Sequence, residues 1–206
     1  MPKRKIVFSG MLLFAIFVSV ASAISDGEIQ RLEKVMSWKT GQVIADVGAG
    51  EGEIGFAAAT VVGESGRVYL TELDEDKVVR LRKAASGRKL KNVEVLAGAE
   101  KETKLPDNCC DAIILRRVYH HFTAPKEMDA SLMHSLRPGG LLAVIEFAPR
   151  KSLSASDPVK GVPSNRGGHG IPKKILLEEL IGAGFKPDKS FEDWPEDGYC
   201  MLFRKP

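Results

Sequence analysis

Cysteine is scarce in this sequence. Its 206 residues contain three, the adjacent Cys109 and Cys110 and the distant Cys200. Three cysteines without spaced pairs do not make a disulfide framework. No Cys-x-x-Cys pair occurs, so the usual spacing of a structural zinc site is missing. We therefore expect thiols that pack in or beside an apolar core.

An excess of charge is also lacking beyond the first residues. The formal net charge is +3, from 30 basic and 27 acidic residues. Lys3, Arg4 and Lys5 account for the difference, so residues 24–206 carry 27 residues of each sign. A neutral domain gives no electrostatic argument for nucleic acid or an anionic surface as a partner. Nucleic acid is therefore not an expected partner.

The start of the chain has the pattern of an export signal. Three basic residues precede an apolar run over 6–20, and the small residues Ala21-Ser22-Ala23 follow. The alternative is an uncleaved anchor, because residues 6–24 would form a helix of roughly 28 Å, about the thickness of a bilayer core. Since the positive charges come first, the domain is expected on the far side of the membrane in both cases. Residues 1–23 are thus predicted to be a signal peptide or membrane anchor, and 24–206 one domain.

This prediction makes the protein exported (periplasmic or extracytoplasmic) or membrane-anchored through residues 6–24, with a cytoplasmic location as the remaining alternative. Behind the leader, strand and helix patterns alternate. Five β/α alternations with apolar strands predict a parallel sheet with helices on both faces. Two last strands, 185–194 and 199–204, are joined by the turn Pro195–Gly198 and add an antiparallel member. The predicted fold class is α/β.

A glycine-rich segment, Asp46-Val-Gly-Ala-Gly-Glu-Gly52, follows the first predicted strand. Its glycines suit a sharp turn that brings the backbone close to a ligand. The spacing also satisfies a dinucleotide fingerprint, with Glu72 at the distance of a ribose-binding acid. A pyrophosphate at this helix start would meet Asp46, Glu51 and Glu53, and like charges about 4 Å apart cost on the order of 4 kcal/mol. The acidic turn favours a cationic ligand such as S-adenosylmethionine over NAD.

These residues resemble motif I of the class I S-adenosylmethionine-dependent methyltransferases, small-molecule type. The resemblance continues through Val68–Asp74, Leu105–Leu115 and Leu136-Arg-Pro-Gly-Gly-Leu141, and covers residues 26–206. It implies a Rossmann-like doubly wound seven-stranded sheet of order 3-2-1-4-5-7-6, with strand 7 antiparallel. It also implies a cofactor site, with S-adenosyl-L-methionine as the cofactor, formed by Asp46, Gly48, Ala49, Gly50, Gly52, Glu72, Leu73, Ala99, Glu100 and Arg116.

One position departs from the family pattern at the adenine. Family members often carry an acid directly after the glycine that follows strand three, where this chain has Ala99 after Gly98. Either Glu100 takes that role or a backbone group does.

The acceptor end is predicted after strands four and five, because open α/β sheets bind ligands at this edge. In the resembling enzymes, the segment equivalent to Arg116–Phe122 lines the pocket for cofactor and acceptor. His120 and His121 are candidates for a general base, since imidazole titrates near neutral pH. The candidate substrate contacts are Tyr119, through its ring face on the sulfonium, His121, Glu146 and His169. Each has a structural alternative, and His169 lies in a long Ser-, Pro- and Gly-rich loop over 149–170.

The predicted function is therefore methyl transfer from S-adenosylmethionine to a small-molecule or lipid-like acceptor. Two alternatives remain at this stage: a non-catalytic S-adenosylmethionine-binding domain, and an NAD-dependent oxidoreductase. No metal site is expected, because adjacent histidines on a strand point apart and no i, i+4 pair of histidines occurs.

Overall fold

The computed structural model describes residues 24–150, 160–196 and 198–206. The predicted signal peptide or anchor over 1–23 lies outside the described residues, as do residues 151–159 of the long loop and Asp197 of the predicted turn. Over the part of the chain that the structure describes, no helix combines the length and apolar character needed to cross a bilayer.

Seven strands form one sheet. Their bounds are β1 Val43–Val47, β2 Arg67–Glu72, β3 Val93–Ala97, β4 Cys110–Arg116, β5 Leu136–Phe147, β6 Lys186–Trp194 and β7 Gly198–Arg204. The order across the sheet is β3-β2-β1-β4-β5-β7-β6. The first five are parallel neighbours, whereas β7 runs antiparallel to both β5 and β6. The predicted fold class and strand order are confirmed.

Five helices connect the strands. They are α1 Asp26–Met36, α2 Glu53–Val62, α3 Glu75–Gly87, α4 Pro125–Ser135 and α5 Lys173–Gly182. Side chains cap two of them, since Ser25 accepts the Glu28 N–H and Asp74 accepts the Lys77 N–H. Pro125 begins α4, where a missing N–H leaves no helical bond unmade. The 3₁₀ turn Tyr119–His121 follows the carboxyl end of β4, and the 3₁₀ turn Ser164–Arg166 lies in the long loop.

The sheet is buried on both faces. Helices α1, α2 and α3 cover one face through side chains such as Leu32, Phe56 and Leu81. Helices α4 and α5 cover the other through Leu132 and Leu176. Helices on both faces explain why the central strands are almost entirely apolar.

Strand β5 is longer than the sequence pattern indicates. The pattern predicts a strand from Leu141, with Arg137–Gly140 as the helix stop, but pairing begins at Leu136 opposite Cys110. The register then shifts between Cys110 and Ala112. An irregularity of this kind accommodates the extra residues around Pro138 and Gly139, which has a positive φ of 77°.

Candidate active site

The glycine-rich turn between β1 and α2 is fixed by backbone contacts. Gly48 N and Ala49 N donate to the Thr71 carbonyl at 2.9 and 3.0 Å. Gly48 has φ 72°, and a Cβ there would lie 2.6 Å from Val118 Cγ2. A side chain at position 48 would therefore meet both an unfavourable backbone conformation and an occupied space.

Glu72, at the end of β2, anchors the turn from the neighbouring strand. Its Oε2 accepts the Gly50 N–H at 3.1 Å, and its Oε1 accepts the Leu73 N–H at 2.9 Å. Lys77 Nζ lies 3.8 Å from Oε2. Each carboxylate oxygen has a second lone pair, so both remain able to accept hydroxyl groups of a ligand.

Asp46 lies beneath the turn. Its Oδ2 accepts the Gly55 N–H in the first turn of α2 at 3.1 Å. The pKa of Asp46 is raised to about 7, chiefly by burial; the Gly55 hydrogen bond and Arg116 act to lower this pKa, and the charge of Glu72 acts to raise it. A carboxyl group in this state responds to a cation placed nearby by losing its proton.

A cavity of about 580 Å³ opens at the carboxyl ends of β1, β2, β3 and β4. This is the size of a site for a small organic ligand, roughly 300–1,000 Å³. One end, here called the cofactor end, is lined by Gly48, Gly50, Glu72, Leu73, Ala99 and Glu100. Arg116, Arg117, Val118, His121 and Phe122 line the cavity along the segment that follows β4.

Arg116 is held in place by α1. Its Nε and Nη2 each donate to one carboxylate oxygen of Glu28 at 2.9 Å. Trp194 Nε1 donates to Glu28 Oε1 at 3.0 Å, and the Glu28 residue is only 2% exposed. This buried bidentate ion pair joins the first described helix to the cavity wall. Sequence reasoning gave Arg116 but missed Glu28 and Trp194, because 88 and 166 residues separate the bonded pairs.

Seven of the ten predicted cofactor residues line the cavity: Gly48, Gly50, Glu72, Leu73, Ala99, Glu100 and Arg116. The other three do not. Asp46 bonds to α2 from below, Ala49 packs against the core, and Gly52 caps α2 with φ 82°. These three shape the turn, and their roles toward a ligand stay predictions.

The three predicted histidines lie together, in what we call the histidine cluster: His120, His121 and His169. The ring centroids of His120 and His121 are 3.9 Å apart, and that of His169 is 4.8 Å from His120. His121 lines the cavity, whereas His120 is buried behind it. Both carboxylate oxygens of Glu146 accept hydrogen bonds from His120.

The long loop brings His169 to this place by pairing with the chain beyond β5. The backbones of Arg150 and His169 exchange hydrogen bonds of 2.8 and 3.1 Å. Gly168 and Gly170 flank His169 with φ of 129° and 108°, and a Cβ on Gly170 would lie 2.8 Å from the Phe147 carbonyl oxygen. The two glycines therefore allow the close approach that places the His169 ring on Phe147.

Tyr119 is placed differently from the sequence expectation. Its side chain is completely buried, and its hydroxyl oxygen lies 2.9 Å from Asp129 Oδ2 and 3.0 Å from Glu179 Oε2, so its single proton is donated to one of these two carboxyl groups at a time. Arg166 Nη1 donates to Glu179 at 2.8 Å from the long loop. Tyr119 is not among the cavity-lining residues, so its ring does not offer a face to a sulfonium. The residue instead joins α4, α5 and the long loop through a buried polar network.

Glu146 is also not a cavity-lining residue, because it is buried beneath His120. Its predicted direct contact with an acceptor does not fit this position. Within the described residues, no group of three or more histidine, cysteine, aspartate or glutamate side chains has an arrangement suited to a metal ion.

Comparisons with known proteins agree with this geometry. The profile of a methyltransferase domain family matches residues 39–180, well over half of the chain. The chain therefore belongs to this methyltransferase family, and it is a class I S-adenosylmethionine-dependent methyltransferase. The family assignment also identifies S-adenosyl-L-methionine as the cofactor, against the NAD alternative.

Individual relatives are more distant. The ubiquinone/menaquinone biosynthesis C-methyltransferase UbiE of Escherichia fergusonii is 28% identical over 116 residues, which cover 53% of this chain and 44% of that protein. The match thus spans less than half the length of that relative.

Solved structures share the fold. An S-adenosylmethionine-dependent methyltransferase from Aquifex aeolicus has a TM-score of 0.71 at 24% identity, covering 86% of this chain and 89% of its own. The [4+2]-cyclase SpnF has a TM-score of 0.69 at 20% identity, covering 86% and 80%.

Proposed function

We propose that this protein transfers a methyl group from S-adenosylmethionine to a small, quinone-like acceptor. The observation that carries the proposal is the single cavity that runs from the glycine turn and Glu72 to His121 at the carboxyl edge of the sheet. Ligands of open α/β sheets bind at this edge. The cavity thus has room for a cofactor at one end and an acceptor beside it.

The cofactor end suits each part of the methyl donor. Glu72 is oriented by two backbone N–H groups and has lone pairs for the ribose hydroxyls. Glu100 also lines the cavity, and its carboxylate is the group that would bind the adenine amino group. The sequence left this role open between Glu100 and a backbone group. Asp46, Glu72 and Arg116 surround the turn with charges of both signs, which suits the ammonium and carboxylate of the methionine part. When bound, the cofactor supplies a methyl group activated by a sulfonium.

The choice of acceptor rests on similarity and on surface charge. The relative UbiE is a ubiquinone/menaquinone biosynthesis C-methyltransferase. Residues 24–206 are neutral overall, which gives nothing to hold a polyanion such as nucleic acid. A small or lipid-like acceptor is the class that fits both observations. The domain would then meet it on the far side of a membrane, as the leader pattern predicts.

A second candidate is binding of S-adenosylmethionine without methyl transfer. Its support is that the [4+2]-cyclase SpnF has a similar fold, so this scaffold also serves other chemistry. The predicted export also supports this second candidate, because S-adenosylmethionine is made in the cytosol and an exported domain lies away from that supply.

Calorimetric titration of the full chain in mild detergent tests the cofactor site. Wild type, Glu72→Ala and the control Glu94→Ala would each be titrated with S-adenosylmethionine, S-adenosylhomocysteine and NAD. Glu94 is an exposed β3 carboxylate paired with Arg67, away from the cavity. We expect micromolar binding of the first two ligands by wild type and the control, and at least about tenfold weaker binding by Glu72→Ala, equal to 1.4 kcal/mol.

Incubation with radiolabelled S-adenosylmethionine then tests the acceptor. The probes are 1,4-dihydroxynaphthalene kept reduced with dithionite, a protein mixture and total RNA. Label in the quinol alone supports the proposal, and label only in protein or RNA contradicts it. Cofactor binding without label in any probe favours the second candidate.

A further inference from the structure

Glu146 is a buried carboxylate whose side-chain partner among the described residues is a histidine. It is 1% exposed, and its two oxygens lie 3.0 and 2.8 Å from His120 Nδ1. The backbone N–H of His120 donates to Oε1 at 3.1 Å. A carboxylate accepts hydrogen bonds, so Nδ1 carries the proton in this arrangement. The other ring nitrogen, Nε2, then has its lone pair available when the ring is neutral.

His120 Nε2 has no hydrogen-bond partner among the described residues, although His120 is only 5% exposed. A buried nitrogen without a partner is uncommon and calls for an explanation. The His120 ring contacts the rings of His121, Phe147 and His169, with centroid distances of 3.9, 5.1 and 4.8 Å. A carboxylate that fixes one imidazole nitrogen and leaves the other unbonded is the arrangement found behind histidine bases.

His121 connects this buried pair with the cavity. The centroid of its ring lies 3.9 Å from that of His120 and 5.8 Å from that of His169, and His121 lies on the cavity wall. Glu146 therefore fixes the orientation of the His120 ring, against which the His121 ring packs at the cavity wall.

Other charged and titratable groups also face the cluster. Arg117 and Arg150 each lie over the Phe147 ring, 5.5 and 5.2 Å from its centroid, and Arg117 pairs with Glu196. Tyr199, on β7, lies opposite Glu146 in the register, and burial followed by the charge of Glu146 raises its pKa. The two arginines contact Phe147, whereas Glu146 is the carboxylate in direct contact with the His120 ring.

We propose that the histidine cluster accepts the proton of the methyl acceptor, with His121 as the residue that meets the acceptor and Glu146 as a positioning residue acting through His120. This inference rests on the proposed methyl transfer and narrows its acceptor to molecules with an ionisable hydrogen, such as a quinol. Transfer forms one bond to the methyl carbon and breaks the methyl–sulfur bond. The hydrogen that the methyl replaces leaves as a proton to the His121 ring, and the sulfonium becomes a neutral thioether.

The test compares an acceptor that must lose a proton with one that has none. The full chain in mild detergent would methylate 1,4-dihydroxynaphthalene, kept reduced with dithionite, or iodide ion, between pH 5.5 and 9. The variants are Glu146→Gln, which keeps the shape of the side chain, and His121→Asn on the cavity wall. The control is His134→Asn, since His134 is the fourth histidine and is exposed on α4. Cofactor affinity is measured on every variant by calorimetry.

We expect both variants to lower the ratio of quinol to iodide methylation about 100-fold, the scale of general base catalysis, while the control keeps the wild-type ratio. Equal losses with the two acceptors, or no loss, would overturn the inference, because either shows a structural role. Wild type that methylates iodide and not the quinol would overturn it as well. Failure of wild type to bind the cofactor would instead remove the proposed function, which the calorimetry reveals separately.

Discussion

The cofactor end of the cavity and the histidine cluster differ in the groups that form them. At the cofactor end, backbone N–H groups of Gly50, Leu73 and Gly55 bond to the carboxylates of Glu72 and Asp46. In the cluster, imidazole rings pack on one another and on Phe147, and a carboxylate from another strand holds one of them.

This difference decides what each end tolerates. A backbone-made site depends on glycine conformation and on strand ends, and local sequence specifies both. A site made of side chains depends on residues that meet only after folding. The following predictions test the contrast, from the largest expected effect to the smallest.

Glu28→Ala removes the partner of Arg116 and the acceptor of Trp194 Nε1. Breaking a buried ion pair leaves an uncompensated charge, so we expect a loss of about 3–5 kcal/mol in the free energy of unfolding. Urea denaturation measures it. The matched control is Asp193→Ala, which breaks the solvent-exposed pair with Arg31 and should change the stability little. Equal losses would show that the wall of the cavity does not depend on α1.

Asp46→Asn tests the buried carboxyl under the glycine turn. Its pKa of about 7 lies above the value in the unfolded chain, so the folded protein binds one more proton between pH 4 and 7. Stability is therefore lost as pH rises through this window, by roughly 4 kcal/mol in total. The variant lacks this loss, and its unfolding free energy should gain on wild type from pH 4 to 8.

A second measurement distinguishes Asp46 from Asp129, whose pKa is also raised to about 7, chiefly by burial. A cationic ligand at the turn favours ionised Asp46, so wild type should release protons on binding S-adenosylmethionine at pH 6.5. Calorimetry in buffers of different ionisation enthalpy measures this release. It should vanish in Asp46→Asn and persist in Asp129→Asn. Persistence in both would place the released proton elsewhere.

Gly48→Ala and Gly50→Ala form a matched pair on the turn. Both glycines have positive φ, 72° and 57°, but only Gly48 has a neighbour that a Cβ would meet, Val118 at 2.6 Å. We expect each alanine to cost about 1–2 kcal/mol in backbone strain, and Gly48→Ala about 1–3 kcal/mol more through overpacking. Thermal unfolding and cofactor titration measure the difference. Equal effects would mean that Val118 moves aside without cost.

Tyr119→Phe should change the stability of the protein and leave the cofactor end intact. It removes the hydroxyl that lies within hydrogen-bond distance of Asp129 and Glu179 and keeps the ring. Loss of a hydrogen bond to a charged group costs roughly 1.5–3 kcal/mol. We expect reduced stability with unchanged affinity for S-adenosylmethionine, measured by urea denaturation and calorimetry. If Tyr119→Phe instead bound the cofactor more weakly at unchanged stability, Tyr119 would contact the cofactor as the sequence predicted.

The sequence was sufficient for the fold, since the strand order followed from the resemblance. It also predicted that Gly48, Gly50 and Glu72 lie together, because glycine spacing and strand ends are local features. The structure places all three on the cavity wall, and their contact with the cofactor stays a prediction. The pairing of Glu28 with Arg116 could not be predicted. From sequence, a charged residue on an amphipathic helix is expected to face solvent unless a distant partner is known. Tyr119 was misplaced for a similar reason. The 3₁₀ turn over 119–121 directs it into the core and leaves His121 on the cavity wall.

The position of β7 has a consequence for synthesis. It is the last of the seven strands to be made, yet it lies between β5 and β6 and supplies buried residues such as Cys200 and Phe203. A nascent chain cannot attach β6 to the sheet until β7 has left the ribosome. We therefore expect the domain to complete its core only after translation has passed Arg204.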